Sequence, residues 1–145
     1  MIEYKKLQKE EIEQNLVEIN NLYQQLSSKH KEIKIERLKK ILENPQAFVL
    51  GAFDGGKIMA VGSLHIVKMI AGSKGLIEEV VVDEDYRRQG IAKNIMQKLL
   101  EQCQSQDLKY VDLTSQPKKA AANNLYKSLG FKLRDTNCYR YNFQD

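Results

Sequence analysis

The sequence predicts an α+β (mixed α/β) fold, a single domain over residues 1–145, with its elements in the order β-α-α-β-β-β-α-β-α-β-β. Three observations lead there. Short apolar runs bounded by turn residues read as strands, and they cluster around the Asp54-Gly55-Gly56 hairpin signal. Longer stretches with a 3.6-residue apolar period read as helices before, between and after them. No internal repeat or Pro/Gly-rich linker divides the chain.

The elements follow in order. Ile2–Leu7 forms a first strand. Glu11–Ser27 carries apolar residues at positions 12, 16, 19, 23 and 26, one face of a helix. Lys34–Leu42 repeats the pattern with Ile35, Leu38, Ile41 and Leu42, and Asn44-Pro45 stops it. The 27–34 connection between them is polar. Ala47–Phe53 and Lys57–Lys68 pair across the Asp-Gly-Gly turn, and Ala71–Gly75 turns the chain into a strand ending at Val82. Asp83-Glu84-Asp85 closes that strand. From about Arg88 to Gln104 the period is helical, with Ala92, Ile95, Met96, Leu99 and Cys103 on one face. Lys109–Thr114 is a strand and Lys118–Leu129 a helix ending at Gly130. Phe131–Arg134 and Tyr139–Phe143 make a closing hairpin.

A chain of 145 residues buries roughly 68–70% of its unfolded surface without disulfides or metal. No apolar run reaches the length of a membrane span, and the start Met1-Ile-Glu-Tyr-Lys-Lys lacks the apolar core of a signal peptide. A cytoplasmic protein with no membrane partner is the expectation. Cys103 and Cys138 are far apart, and no Cys/His cluster suggests a metal. The net charge of +4 comes from Lys and Arg interspersed with Glu and Asp, without interleaved aromatics, which argues against nucleic acid. A homodimer is compatible with the sequence.

The start of the 88–104 helix is unusual in its charges. A helix N-terminus carries roughly +0.5 charge and favours acids by about 0.3–1 kcal/mol. Here Arg87, Arg88 and Lys93 surround it, and no acid occurs between residues 86 and 100. Gly90, lacking a Cβ, lets an anion approach the backbone N–H groups. Strand, acidic turn and glycine-containing basic helix start together fit a pyrophosphate, although neither a Walker sequence nor G-x-G-x-x-G is present.

Two segments resemble a known family. Arg87-Arg88-Gln89-Gly90-Ile91-Ala92 is similar to the [R/Q]-x-x-G-x-[G/A] signature of the GNAT N-acetyltransferase superfamily, and Ala121–Phe131 is similar to its A-x-x-L-Y-x-x-x-G-F segment. The resemblance implies a central sheet split between the strand ending at Val82 and that at Lys109–Thr114, admitting coenzyme A. It implies that acetyl-CoA is the acyl donor, that main-chain groups of Val80, Val81 and Val82 bind the pantetheine, and that Arg88–Lys93 take the pyrophosphate. Arg87, Arg88, Gln89, Gly90, Ile91, Ala92, Lys93, Lys119, Asn123 and Tyr126 are the remaining implied cofactor contacts. Lys119 stands where the family often has Asn.

Acetyl transfer to an amine requires positioning, removal of the amine's proton, stabilisation of a developing oxyanion and protonation of the leaving thiolate. Tyr126 occupies the family's tyrosine position, and a phenol is protonated at neutral pH, so it is the expected general acid. Glu78 and Glu79 interrupt an apolar strand, where carboxylates are costly unless used. Glu79 is the expected base and Glu78 a substrate contact, with His30 and His65 as alternative bases. Tyr23 and the 27–34 loop are expected on the acceptor side. Two cysteines without an adjacent base give no reason for an acetyl-enzyme, so direct transfer in a ternary complex is expected. The reading is an N-acetyltransferase of a small-molecule primary amine. The alternatives are a protein N-terminal or lysine acetyltransferase, and an inactive coenzyme-A-binding regulatory domain. Thr114 stands where some peptide-directed members carry Glu, which favours the small amine.

Overall fold

The computed structural model describes residues 1–144, which divide into two compact units, Met1–Thr114 and a second from Ser115 on. The first unit holds a five-stranded sheet in the order β1 (Ile2–Lys6), β2 (Ala47–Asp54), β3 (Lys57–Met69), β4 (Gly72–Val82), β5 (Leu108–Asp112). All neighbours are antiparallel except β4 and β5, which run parallel. Three helices, α1 (Lys9–Gln14), α2 (Leu16–Leu26) and α3 (Ile35–Glu43), lie between β1 and β2, and α4 (Ile91–Gln104) between β4 and β5.

Adjacent residues on a strand point to opposite faces. Val61 joins the apolar cluster built with Ile12, Ile19 and Leu22 of the first helices. At Gly62 a Cβ would lie 2.8 Å from Ile95 Cγ2 of α4. The sheet is therefore covered on both faces, by α1–α3 on one and α4 on the other. Gly55 and Gly56 both adopt positive φ (56° and 84°), which suits the two-residue turn joining β2 to β3.

Three expectations are corrected. The predicted helix over Glu11–Ser27 is two helices, broken at Asn15. Asn15 is only 4% exposed, and its side chain donates to Glu11 O at 3.0 Å and accepts from Ile58 N at 2.9 Å. Its amide serves the strand rather than a continuous helix. Asn15→Ala leaves the buried Ile58 N–H unpaired and is expected to cost about 1–3 kcal/mol, read as a lower denaturant midpoint at unchanged slope. The helix predicted from Arg88 starts at Ile91, so Arg87 and Arg88 lie in the preceding loop. Finally, the closing hairpin does not form. After α5 (Ala120–Ser128) the described residues contain no strand, and Leu133, Tyr139, Tyr141 and Phe143 are exposed. Alternation alone cannot hold a strand that pairs with nothing.

Candidate active site

In the first unit the site begins where β4 loses its neighbours. The β4–β5 ladder is recorded only at Ser73, Gly75 and Leu76, so among the described residues Ile77–Val82 has no partner on that edge. On the other edge β4 carries a bulge. Val61 pairs with Val81 but Ser63 with Glu78, so Glu79 and Val80 together face Gly62. Glu79 takes up the kink with φ 55°, a left-handed conformation that costs a non-glycine residue roughly 1–2 kcal/mol. Such strain persists only where the surroundings enforce it. The sheet opening that the resemblance implied is thus visible in the pairing. Val81 and Val82 bury their side chains while their main chain runs along the open edge.

The chain next makes a short 3₁₀ turn, Glu84–Tyr86, whose first N–H bonds Gln25 Oε1 of α2 at 2.9 Å. Arg87 Nε donates to Val82 O at 3.0 Å, which fastens the loop to the strand end and leaves the other guanidinium donors uncommitted by that bond. Arg88 and Gly90 both have positive φ (65° and 79°). Gly90 caps α4 without a side-chain bond, no acid lies in the first turn, and a Cβ at Gly90 would meet nothing within 4 Å. The helix therefore presents the N–H groups of Ile91, Ala92 and Lys93 over open space, beside Arg88 and Gln89. This fits a diphosphate by geometry and charge. Ile91 contributes only its main chain, because its side chain is buried.

Glu79 collects the acceptor-side residues. Burial of its carboxyl raises the pKa above the ordinary value; His65, Arg37 and His30 oppose the rise, and Glu78 adds to it. Glu79 nevertheless keeps substantial contact with solvent. The Tyr23 phenol is pushed well above its usual range, by burial first and by the Glu79 charge second, so it stays neutral. Tyr23 lies against the His30 ring, with centroids 5.9 Å apart. The 27–34 loop is fixed by Asn20, whose Oδ1 accepts from Ile33 N at 2.6 Å and lies 3.0 Å from His30 Nε2. Because that oxygen can only accept, His30 Nε2 carries a hydrogen. Tyr23 and His30 of the loop thus lie near Glu79.

Arg37 of α3 was missed. On the sequence it is one more polar position on an amphipathic helix, and only the fold brings its charge to Glu79. Among the described residues no carboxylate lies within ion-pair distance of it. Asp112 is taken by Lys74 at 3.8 Å.

The second unit carries the remaining predicted residues. The Tyr126 ring meets Phe131 edge-on at 6.0 Å, and burial raises its pKa. Asn123 Nδ2 donates to Gln116 O and Lys119 O, each at 2.9 Å, tying the 116–119 turn to α5. That is a structural task. Lys119 is the N-cap of α5 and makes no side-chain cap bond.

Among the described residues no group of His, Cys, Asp and Glu is arranged to hold a metal, and no helix is long and apolar enough to cross a membrane. Several solved structures share the fold. A glucosamine-6-phosphate N-acetyltransferase from Arabidopsis thaliana matches with TM-score 0.82 at 23% identity, over 99% of both chains. An aminoglycoside acetyltransferase from an uncultured soil metagenomic sample, solved with trehalose, gives 0.85 at 16% identity, over 99% of this chain and 97% of that one. A predicted acetyltransferase from Clostridium acetobutylicum, solved with acetyl-CoA, gives 0.78 at 18% identity, over 97% and 96%. At these identities the likeness is one of fold. No curated protein matches the chain in sequence. The model of the acetyltransferase (GNAT) family, however, matches residues 13–131 and so runs through both units. With most of its 145 residues covered by that match, the chain belongs to the GNAT acetyltransferase family.

Proposed function

We propose that this chain is a single catalytic domain over residues 1–145 that moves an acetyl group from acetyl-CoA to the primary amine of a small molecule, by direct transfer in a ternary complex. The observation that carries the reading is the bulged, half-unpaired β4, which leads within a few residues into an uncapped helix start free of acids. Acetyl-CoA supplies an acyl group already activated as a thioester. The open main chain of Val80, Val81 and Val82 aligns the pantetheine as an added strand would be aligned. The N–H groups of Ile91, Ala92 and Lys93 hold the diphosphate, with Arg88 and Gln89 beside them and Gly90 leaving room. Arg87 keeps that loop in place. By the family resemblance, Lys119 and Asn123 add further cofactor contacts, and Tyr126 gives its proton to the departing thiolate.

Glu79 is the proposed base, acting directly or through water, with Glu78 and Tyr23 as substrate contacts. A carboxylate base works only when ionised, so its raised pKa predicts an acid limb of kcat/KM above the ordinary carboxylate range of about 4.3. Glu79→Gln is expected to remove that limb along with most of kcat. A limb unaltered in Glu79→Gln would assign the base elsewhere.

The acceptor side is not uniformly negative, since Arg37 and His30 act on Glu79 as well. Among small amines this favours those that also carry a negative group, such as amino-sugar phosphates or amino acids, over polyamines. Small amines are expected to exceed N-terminal peptides in kcat/KM, and Arg37→Gln to raise KM for anionic acceptors alone. Side-by-side small-amine and peptide panels test this, and peptides faster by about tenfold, a 1.4 kcal/mol preference, would reverse the assignment.

A further inference from the structure

The β4 bulge is held from the neighbouring strand by two side chains that the reading above leaves unused. Ser63 lies on β3 opposite Glu78, is only 3% exposed, and donates its hydroxyl to Glu78 O at 2.9 Å. His65, two residues on and hence on the same strand face, places Nε2 3.0 Å from the same hydroxyl oxygen. The single Ser63 proton is committed to the carbonyl, so Ser63 Oγ can only accept from the imidazole. Nε2 therefore carries a hydrogen whether the ring is neutral or protonated.

The consequence reaches the open edge through the peptide plane. A trans peptide sets its N–H antiparallel to its C=O, and no cis bond occurs among the described residues. With Glu78 O drawn toward β3 by Ser63, the N–H of Glu79 points away from β3, toward the edge of β4 that β5 leaves unpaired. Glu79 is the strained residue of the bulge, and a flip of that one peptide would relieve it while turning the donor inward.

We propose that His65 and Ser63 are positioning residues: His65 orients the Ser63 hydroxyl, and Ser63 holds the Glu78–Glu79 peptide so that its N–H faces the reacting acyl oxygen. This rests on the acetyl-transfer reading. It removes His65 from the candidate bases and gives it a task that does not change with its protonation. A donor aimed where charge develops is useful only if it is already oriented, and a misplacement on the order of 1 Å can cost 10²-fold in rate.

The test compares His65→Gln, which keeps an N–H donor at similar reach, with His65→Leu and Ser63→Ala, which break the chain of bonds. The proposal expects His65→Gln to keep kcat within about threefold, while the other two lose at least about tenfold. The stabilisation by coenzyme A should stay unchanged in all three, while the acid limb moves up equally in both His65 variants, which lose the imidazole's charge near Glu79, and stays in place in Ser63→Ala. His65→Gln as damaging as His65→Leu, with the acid limb abolished in both, would make His65 a base. Wild-type kcat in both His65→Leu and Ser63→Ala would leave the pair with packing alone. Either result overturns the proposal. Amide hydrogen exchange at Glu79 is a second readout that needs no turnover. Slower exchange in His65→Leu and Ser63→Ala, where the released peptide turns its N–H inward, but not in His65→Gln, is expected, and equal protection in all would contradict the relay. If the wild type transfers no acetyl group, the function fails, and the exchange measurement still decides the relay.

Discussion

Tyr126→Phe is expected to lower kcat by roughly 10²–10⁴, the usual contribution of a positioned general acid, with little change in affinity for coenzyme A. The substitution removes one oxygen and retains the ring that meets Phe131 at 6.0 Å, so folding should be preserved. Burial raises the phenol's pKa, which keeps the proton in place throughout the neutral range. Thiols have pKa values of about 8.5 against about 10 for a phenol, so transfer to the thiolate is uphill and the raised Tyr126 pKa widens the gap. The proton therefore moves as the C–S bond breaks, when the departing sulfur is most basic. Single-turnover measurements separate acetyl transfer from product release. An unchanged rate for the transfer step would reduce Tyr126 to a packing residue on α5.

Gly90→Leu should abolish cofactor binding while leaving a folded protein. Coenzyme A at about 100 times its Kd stabilises the wild type by roughly 2.7 kcal/mol, and the variant should show none of this. Two effects act together. The left-handed φ of 79° makes any side chain there cost about 1–2 kcal/mol, a Tm loss of a few degrees. The added side chain also enters the open space in front of the Ile91, Ala92 and Lys93 N–H groups, where a Cβ now meets nothing. Gly90→Ala separates the two, since it carries the strain but little bulk. Full thermal stabilisation of Gly90→Leu by coenzyme A would mean that the diphosphate binds elsewhere.

The parts of the fold that were legible in the sequence are those in which local chemistry and tertiary context agree. Asp54-Gly55-Gly56 demanded a hairpin and supplied it, and Val80-Val81-Val82 is the strand end its apolar run indicated. The basic, acid-free start of α4 was legible for the same reason: charges that oppose the helix dipole have no local explanation. Asn15 shows the opposite case. Its helix-breaking role depends on Ile58, 43 residues away, and no local period reveals that. Tyr139, Tyr141 and Phe143 alternate as a strand would, yet strand formation depends on a partner ladder, which the sequence does not specify. At the site, Glu78 and Glu79 stood out as carboxylates in an apolar strand. The bulge that separates their directions did not, because it arises from a one-residue mismatch between β3 and β4. Arg37 reaches Glu79 only through the packing of α3. The Ser63/His65 pair had a readable signal, two polar groups spaced i, i+2 on an otherwise apolar strand, but its meaning came from the carbonyl opposite.

The central claim is that this chain turns over acetyl-CoA with an amine. The most direct measurement follows free thiol released from acetyl-CoA across a panel of small amines, with mass spectrometry of the acceptor. Amine-dependent release, matched one-to-one by an acceptor heavier by one acetyl group and lost in Tyr126→Phe, is the predicted result. Thermal stabilisation by coenzyme A without thiol release for any small amine or peptide would contradict it, and would make the chain a binding domain that has kept the GNAT fold without its chemistry.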